Sequence, residues 1–406
     1  MIKTFRLRGR LNNGESNMIS LSAALSCLSG GLISDQSAGL QNDVDWSAWD
    51  GTNDSAAQDF FTAGDHYGPT HLASTASDEF VIMTRDRTGT QARQAATFSI
   101  AGDKTLSLED TLDLSVIDSG VFPSLALQSS TRILGLWAGL TGGDFFLLGK
   151  SGVTLSEIAT TNPAEFVDKS NSYRSIAHIT GTKYLCFFDD NLGYQVMVVD
   201  TAGDSFSFGT PLAIGETGSR YGVLQVIDDT YFVVGVNDTM YLCDIGAMDA
   251  LSIVDSELIV SAGTTFSDFT GSALTRGNQL VVIYEDGVTT DCQVFTIDTS
   301  AETITRGTSI EINSSSGTFA GPQEAGLVSP QDGVVIAAVT QSSVSGTNLF
   351  RISVAADGTL TSSGILKNVP GDHGTLRLMS GNALAVLTTQ YNNGSNDVVR
   401  MMVLEP

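Results

Sequence analysis

One stretch decides the fold: residues 176–214 read IAHITGTKYLCFFDDNLGYQVMVVDTAGDSFSFGTPLAI. It contains a short strand of small residues, an almost continuous apolar strand, an alternating strand and an amphipathic strand, with Gly, Asn and Asp at the turns. A continuous apolar run is typical of a strand buried on both faces, whereas alternation is typical of a strand with one face in water. The stretch therefore predicts one four-stranded antiparallel sheet.

The same unit recurs along the chain. Apolar strands begin at positions 79, 132, 183, 230, 279, 333 and 382, so their spacing is nearly constant. An alternating strand follows each of them, and an amphipathic strand follows in the first six units. Seven units of this kind predict an all-β, seven-bladed β-propeller of four-stranded antiparallel blades, with the small-residue strands lining the central channel.

The seventh unit stops after its third strand, because the sequence ends at Pro406. A ring with that blade incomplete would leave unpaired strand edges. When the first unit is aligned with the third, residues 54–61 (DSAAQDFF) fall opposite the outer strand of the third unit. We therefore expect an N-terminal strand at about 54–61 to close the ring.

The N-terminal region does not fit the repeat. We expect residues 1–50 to form an extended docking arm ahead of a propeller that spans residues 51–406. Its basic and aromatic side chains have the character of interface anchors. The candidate docking residues are Lys3, Arg6, Arg8, Arg10, Trp46 and Trp49. The alternative is a tail that folds back on the propeller.

Charge and hydropathy exclude several classes of partner. The 406 residues include 45 acidic and 20 basic ones, which gives a formal net charge of −25. Such a field repels nucleic acid and anionic membranes, so we expect neither as a partner. No stretch approaches the ~20 apolar residues of a membrane helix. The apolar run 18–33 follows four basic residues, but the polar segment NNGESN separates the two, and we expect no cleaved signal peptide.

The residue types that carry chemistry are sparse. No HExxH, GxSxG, P-loop or GxGxxG motif occurs. We expect structural roles for His71 and His178, whereas His66 and His373 could face one rim but lie in different units, which is too little to indicate a metal site. We expect free thiols for Cys27, Cys186, Cys243 and Cys292. The acidic clusters at 189–190, 228–229 and 285–286 fit solvated turns. We therefore expect no catalytic residue and no bound cofactor.

One acidic segment imitates part of a calcium loop, with Asp43, Asp45, Ser47 and Asp54 at its potential ligand positions. Ala48 stands where such a loop needs the glycine of its sharp turn. We therefore expect no metal site.

The third unit resembles a propeller repeat common in tailed-bacteriophage virion proteins. In that repeat a small-residue strand is followed by "TKYLVVYxD", a "VVD" strand and a "FGTP" turn. The matching positions are Thr182, Lys183, Tyr184, Leu185, Asp189, Val198, Val199, Phe208, Gly209, Thr210 and Pro211. The other units keep the hydrophobic pattern but not these residues.

This resemblance implies a non-enzymatic structural or adhesive component of a phage particle, of the tail-fibre, spike or capsid-surface type. Such a protein would be assembled in the host cytoplasm and located in the virion. Residues 1–50 would attach it to other virion proteins, and the propeller would contact host-surface glycans or proteins; a homo-oligomer within the particle is compatible with this. Two alternatives stay open: a decoration or bridging protein without a receptor role, and a secreted, lectin-like, carbohydrate-binding propeller.

Overall fold

The computed structural model describes part of the chain. Contacts divide the chain between Gly31 and Leu32, and every described residue belongs to the second unit. The described residues are 45–52, 54–60, 66–76, 78–86, 93–115, 122–138, 143–163, 175–190, 193–215, 222–259, 268–285, 289–313, 326–340, 346–378, 384–390 and 398–404.

These residues form seven antiparallel sheets, which we number in chain order. Sheet 1 contains β2 (His66–Ser74), β3 (Glu79–Asp86), β4 (Arg93–Ile100) and β5 (Leu106–Asp113). Sheet 2 contains β6 (Phe122–Ser129), β7 (Arg132–Ala138), β8 (Gly143–Ser151) and β9 (Thr154–Thr161). Sheet 3 contains β10 (Ser175–Thr180), β11 (Lys183–Asp190), β12 (Gly193–Asp200), β13 (Ser207–Phe208) and β14 (Leu212–Gly215). Sheet 4 contains β15 (Val223–Val226), β16 (Tyr231–Val236), β17 (Thr239–Ile245) and β18 (Leu251–Leu258).

The remaining sheets follow the same order. Sheet 5 contains β19 (Asp268–Thr275), β20 (Gln279–Glu285), β21 (Thr290–Asp298) and β22 (Thr303–Asn313). Sheet 6 contains β23 (Leu327–Gln331), β24 (Val334–Thr340), β25 (Thr347–Val354) and β26 (Leu360–Val369). Sheet 7 contains β27 (Asp372–Leu378), β28 (Leu384–Gln390), β29 (Val398–Leu404) and, from the other end of the chain, β1 (Gln58–Phe60).

This arrangement is an all-β propeller of four-stranded antiparallel blades, as the sequence predicts. The first strand of each sheet contacts the first strand of the next sheet, and β27 of sheet 7 contacts β2 of sheet 1. The second strands are the most buried, and every residue of β20 and β24 lies in the interior. The outer strand β18 instead contains exposed positions along its length.

The hydrophobic core lies between neighbouring sheets. One cluster joins Val281 of sheet 5 to Val335 and Phe350 of sheet 6, and another joins Phe187 of sheet 3 to Val234 of sheet 4. Because each cluster needs two sheets, no sheet can bury its apolar surface alone. The repeat is therefore held together by its contacts with both neighbours.

The predicted closing strand is confirmed. Gln58, Asp59 and Phe60 of β1 pair antiparallel with β29 of sheet 7. Before this strand, the backbone N–H of Ser55 donates to the carbonyl oxygen of Val403 at 2.9 Å. The regular pairing is shorter than the predicted span of 54–61, because β1 contains only three residues.

The outer strand of sheet 3 is split in two. β13 pairs with β12 through Phe208, and β14 resumes the pairing at Leu212. Pro211 lies between them, and proline has no N–H to donate to a neighbouring strand. The "FGTP" segment is thus an interruption within the outer strand.

The described cysteines lie on second and third strands. Cys186 lies on the second strand β11, and Cys243 and Cys292 lie on the third strands β17 and β21. All three are buried free thiols, as expected, and burial raises the pKa of Cys243 to about 12. They therefore act as small core side chains. Cys27 lies outside the described residues.

Candidate interaction surface

The two ends of the sheets differ in the length of their connections. At one end of the sheets lie the connections from first to second strand and from third to fourth strand. We call this end the turn face. Its connections have at most six residues, as at 201–206. The opposite end, the loop face, carries the connections from second to third strand and from each sheet to the next. Its longest connections are 162–174 and 314–326, of which residues 164–174 and 314–325 lie outside the described residues.

A repeated polar link connects neighbouring sheets on the turn face. In five sheets the side chain of the first residue of the second strand forms a hydrogen bond or an ion pair with the next sheet. Its partner there lies in the turn between the third and fourth strands, or at the end of the third strand. The pairs are Glu79 with Lys150, Arg132 with Asp204, Lys183 with Asp249, Tyr231 with Glu302, and Gln279 with the carbonyl groups of Ala355 and Ala356.

The links share a position but not a chemistry. The Arg132 and Lys183 nitrogens lie 2.6 Å from the carboxylates of Asp204 and Asp249. The Tyr231 hydroxyl donates to Glu302 at 3.0 Å. Glu302 raises the pKa of Tyr231, chiefly by accepting that hydrogen bond, because ionisation would remove the donor. Each link connects two neighbouring sheets at the same end of their strands.

Three of the acceptor residues have an unusual backbone conformation. Asp204, Asp249 and Glu302 have φ values of 58°, 60° and 56°, in the left-handed region. This conformation is disfavoured for residues with a Cβ, although Asp tolerates it better than most. Each of these residues also accepts a link from the preceding sheet, so a favourable contact and a strained backbone occur at the same position.

Further turns on this face are closed by aspartate side chains. Asp103, Asp298 and Asp357 each accept a backbone N–H two residues further along the chain, at 2.9–3.0 Å. Hydrogen bonds from Thr105 lower the pKa of Asp103, and those from Ser300 and Ala301 lower the pKa of Asp298. In the acidic cluster at 228–229, Asp228 similarly accepts the N–H groups of Thr230 and Tyr231. These carboxylates act as turn-forming groups.

The inner wall of the propeller is mostly apolar, with small hydroxyl and amide groups. The Ser124 hydroxyl accepts the backbone N–H of Ile176 on the next sheet at 3.2 Å, and the Thr275 hydroxyl accepts that of Gly333 at 2.8 Å. Among the first-strand side chains that the structure describes, His178 is the one that can ionise. Its ring is buried, lies 3.0 Å from the carbonyl oxygen of Gly181 and packs edge-on against Tyr184.

That arrangement gives His178 the structural role expected for it. The other three histidines, His66, His71 and His373, lie on the first strands β2 and β27.

The calcium-like segment has other partners. The Asp45 carboxylate accepts the backbone N–H of Ser47 at 2.9 Å, and Asp54 pairs with the Lys367 ammonium at 2.7 Å. Asp43 lies outside the described residues. No group of three potential metal ligands occurs within the part of the chain that the structure describes.

A buried polar group marks the loop face between sheets 1 and 2. The Arg93 guanidinium lies 5.6 Å from the centre of the Trp137 ring, and Asp144 pairs with Trp137 across β7 and β8. Asp144 also accepts the side-chain amide of Asn162 at 3.0 Å. These residues lie at strand ends next to loop-face connections, and their contacts connect those strand ends to one another.

The predicted docking residues fall into two groups. Trp46 and Trp49 are each 1% exposed and pack with core residues of sheets 6 and 7. This corrects the expectation that the two indoles are offered to a partner, and it favours, for residues 45–50, the alternative of a segment folded back on the propeller. The basic candidates Lys3, Arg6, Arg8 and Arg10 lie outside the described residues, so their docking role stays a prediction.

Sequence reasoning missed the links on the turn face. Their donors and acceptors lie in different repeats, and Lys183 and Asp249 are 66 residues apart. One signal was present, because the second strands of the first, second, third and fifth repeats begin with Glu79, Arg132, Lys183 and Gln279. A polar residue at a strand end is so common that this pattern predicts no particular pairing.

Comparisons with known proteins place the fold but no family. No model of a known protein family and no curated protein matches the sequence. A Bacteroides fragilis protein provisionally assigned as a 6-phosphogluconolactonase is 13% identical, with a TM-score of 0.54, over 75% of this chain and 85% of its own. Sqt1 from Chaetomium thermophilum is 11% identical, with a TM-score of 0.52, over 86% of this chain and 100% of its own. The WD40 domain of Toxoplasma gondii coronin is 8% identical, with a TM-score of 0.50, over 86% of both chains.

At these identities the similarity shows the propeller fold alone. A search of the described residues for a helix long and apolar enough to cross a membrane finds none.

Proposed function

We propose that this chain is a closed, seven-bladed propeller that acts as a non-catalytic binding component of a larger particle. The blade number is supported by the seven sheets, each with four strand positions, and by the contacts that lead from the first strand of each sheet to the next and back to β2. The pairing of β1 with β29 supports closure at the seam between the two ends of the chain.

The observation that carries this proposal is the difference between the two faces. On the turn face, five polar links connect neighbouring sheets, and aspartate side chains close short turns within single sheets. On the loop face, the same strands carry connections as long as 162–174 and 314–326. Binding residues are often found on loops that a rigid scaffold positions. The loop face is therefore the proposed contact surface, and the turn face is its support.

The particle we propose is a phage virion, of which this chain would be a tail-fibre or spike-like component attached through its N-terminal residues. The resemblance of residues 176–214 to a virion propeller repeat supports this assignment. The proposed partners are other virion proteins on one side and a host-surface glycan or protein on the other. A decoration or bridging role without a receptor, and a secreted lectin-like role, are the competing proposals.

Immunogold labelling tests the location. An antibody raised against the folded propeller would be applied to particles from the source culture, with pre-immune serum as control. Label at a tail tip or fibre supports host attachment, and label over the head or along the tail favours decoration. If no particle is labelled while the protein is present in the culture, the virion proposal is wrong.

Binding and turnover assays test the rest of the proposal. Purified full-length protein should bind a host envelope fraction, and a variant with residues 314–326 shortened should bind more weakly. A variant altered only on the turn face, such as Asp357→Asn, is the matched control and should bind normally. Cleavage of any member of a glycan panel would contradict the non-catalytic assignment.

A further inference from the structure

The segment that precedes β1 is bound to two sheets at once. We call residues 45–52 and 54–57 the strap. Trp46 and Trp49 lie 6.1 Å apart, ring centre to ring centre, and both pack in the cluster that joins sheet 6 to sheet 7. From sheet 6 this cluster contains Ile336 and Leu349, and from sheet 7 it contains Leu384 and others. The two indoles thus extend the core at this junction.

Polar contacts from sheet 6 hold the backbone of the strap. The N–H of Trp46 donates to the Gln331 side chain at 2.7 Å. The Arg351 guanidinium donates to the carbonyl oxygen of Trp49 at 2.6 Å, and the Lys367 ammonium donates to that of Gly51 at 3.2 Å. Three strands of sheet 6 therefore contribute a side chain to the strap, although the strap leads into β1 of sheet 7.

A buried carboxylate locks the end of the strap. The Asp54 side chain has no exposed surface, and it accepts hydrogen bonds from Lys367 at 2.7 Å and from the Trp49 indole N–H at 3.1 Å. Removing one partner of such a pair leaves a charge in the interior, which is far more costly than losing an exposed ion pair. Asp54 thus connects an indole of the strap to the outer strand of sheet 6.

The pairing of β1 with β29 inside sheet 7 needs this reinforcement because it is short. β1 has three residues, whereas the outer strands of sheets 5 and 6 have 11 and 10. In those sheets a short turn joins the third strand to the fourth, but β1 and β29 come from opposite ends of the chain. Because this pairing has few hydrogen bonds and closes a large loop, separating β1 from β29 should require little free energy.

We propose that the strap is the fastening that keeps the ring closed, and that release of its contacts with sheet 6 controls opening of the junction between β1 and β29. This role goes beyond the proposed binding function and does not depend on it. It makes the stability of the β1–β29 pairing separable from that of the strand pairing in the other six sheets.

Hydrogen exchange at the junction tests this role in the full chain. The probe is the backbone N–H of Val403, which donates to the Ser55 hydroxyl at 2.9 Å. Lys367→Met keeps the aliphatic stem and removes the charge that neutralises Asp54. We expect exchange at Val403 to accelerate about tenfold or more, with amides of β7 and β16 unchanged, since each tenfold corresponds to ~1.4 kcal/mol of opening free energy.

Two further variants distinguish a local role of the strap from a general loss of stability. Lys183→Met breaks the Lys183–Asp249 link between sheets 3 and 4, and it should leave exchange at Val403 unchanged. Asp54→Asn combined with Lys367→Met removes the unpaired charge and should restore part of the protection. Unchanged exchange at Val403 in Lys367→Met, or equal acceleration in every sheet, would overturn the proposal. Asp54→Asn alone, which keeps an acceptor for Trp49, is the milder variant if Lys367→Met does not fold.

Discussion

The turn face and the loop face are opposite ends of the same strands, and they are built in different ways. The turn face closes its hairpins within at most six residues, with aspartate side chains and residues of positive φ such as Asp249 and Glu302. The loop face carries connections as long as 314–326, between sheets 5 and 6, and between sheets 1 and 2 it has buried polar residues, Arg93 and Asp144, at its strand ends. The difference teaches that a repeat can fix its geometry at one end and leave the other end free to vary.

An insertion at each face gives the largest expected contrast. Six Gly/Ser residues placed between Gly181 and Thr182 would lengthen the turn between β10 and β11 and disturb the adjacent Lys183–Asp249 link. We expect this to lower the free energy of unfolding by about 2–3 kcal/mol. The same insertion within 314–326 should cost only ~0.3 kcal/mol, since closure entropy grows slowly with loop length.

Urea denaturation measures both insertion variants against the parent chain. Equal losses at the two positions would mean that the two faces contribute alike to the ring, which would remove the basis of the comparison.

The contribution of each turn-face link to the free energy of unfolding should increase with its burial. The Lys150 side chain is 6% exposed and that of its partner Glu79 is 24% exposed, whereas Lys183 is 38% exposed. Lys150→Met should therefore cost about 1.5–2 kcal/mol, because it leaves a half-buried carboxylate without its strongest donor. Lys183→Met, the matched variant at an exposed link, should cost at most ~0.5 kcal/mol. Calorimetric unfolding of both proteins checks the order, and the reverse order would contradict this account.

The backbone conformation at Asp249 allows a smaller test. Asp249→Asn keeps a residue that tolerates positive φ and loses the charge, so stability should fall by ~0.5 kcal/mol. Asp249→Gly loses the same contact but removes the backbone strain, which is of similar size. We expect the glycine variant to unfold within ~0.3 kcal/mol of the parent chain in urea. A glycine variant clearly less stable than the asparagine variant would show that the carboxylate is not offsetting strain.

Acid should loosen the turn face gradually. Hydrogen bonds that their carboxylates accept from hydroxyl and backbone N–H groups lower the pKa values of Asp103, Asp298 and Asp357. A depressed pKa in the folded state means that these contacts stabilise the fold above the ordinary value of ~3.9 and are lost as the pH falls through the lowered values.

Carboxyl chemical shifts followed by NMR should therefore show midpoints below ~3.9 for these three residues. Midpoints at or above that value would show that the turns are not held by the ionised side chains.

The regular part of the fold was readable from the sequence because burial repeats with the strands. The apolar runs at Lys183 and Gln279 begin at the first residues of second strands β11 and β20, and the closing strand at 58–60 lies within the predicted 54–61. Both predictions depend on hydrophobic periodicity, which is local. Pro211 in the predicted outer strand of the third unit was a local signal of the split between β13 and β14, but only the structure assigned it that effect.

The strap and the links were not readable because their contacts are not local. Arg351 contacts Trp49, 302 residues away, and Lys367 contacts Asp54, 313 residues away. In the sequence, Trp46 and Trp49 were distinguished only by lying outside the repeat. An aromatic side chain there can be buried against a partner protein as well as in the chain's own core. Only the position of sheet 6 beside the closing strand decides between the two.

A crystal structure of the full chain tests the central claim most directly, since the binding proposal requires a rigid closed ring. We predict seven four-stranded sheets around one axis, with residues 58–60 paired to β29 and with Trp46 and Trp49 buried against sheets 6 and 7. A ring of six sheets, or a β29 edge that is not covered by residues 58–60 of the same chain, would contradict the account.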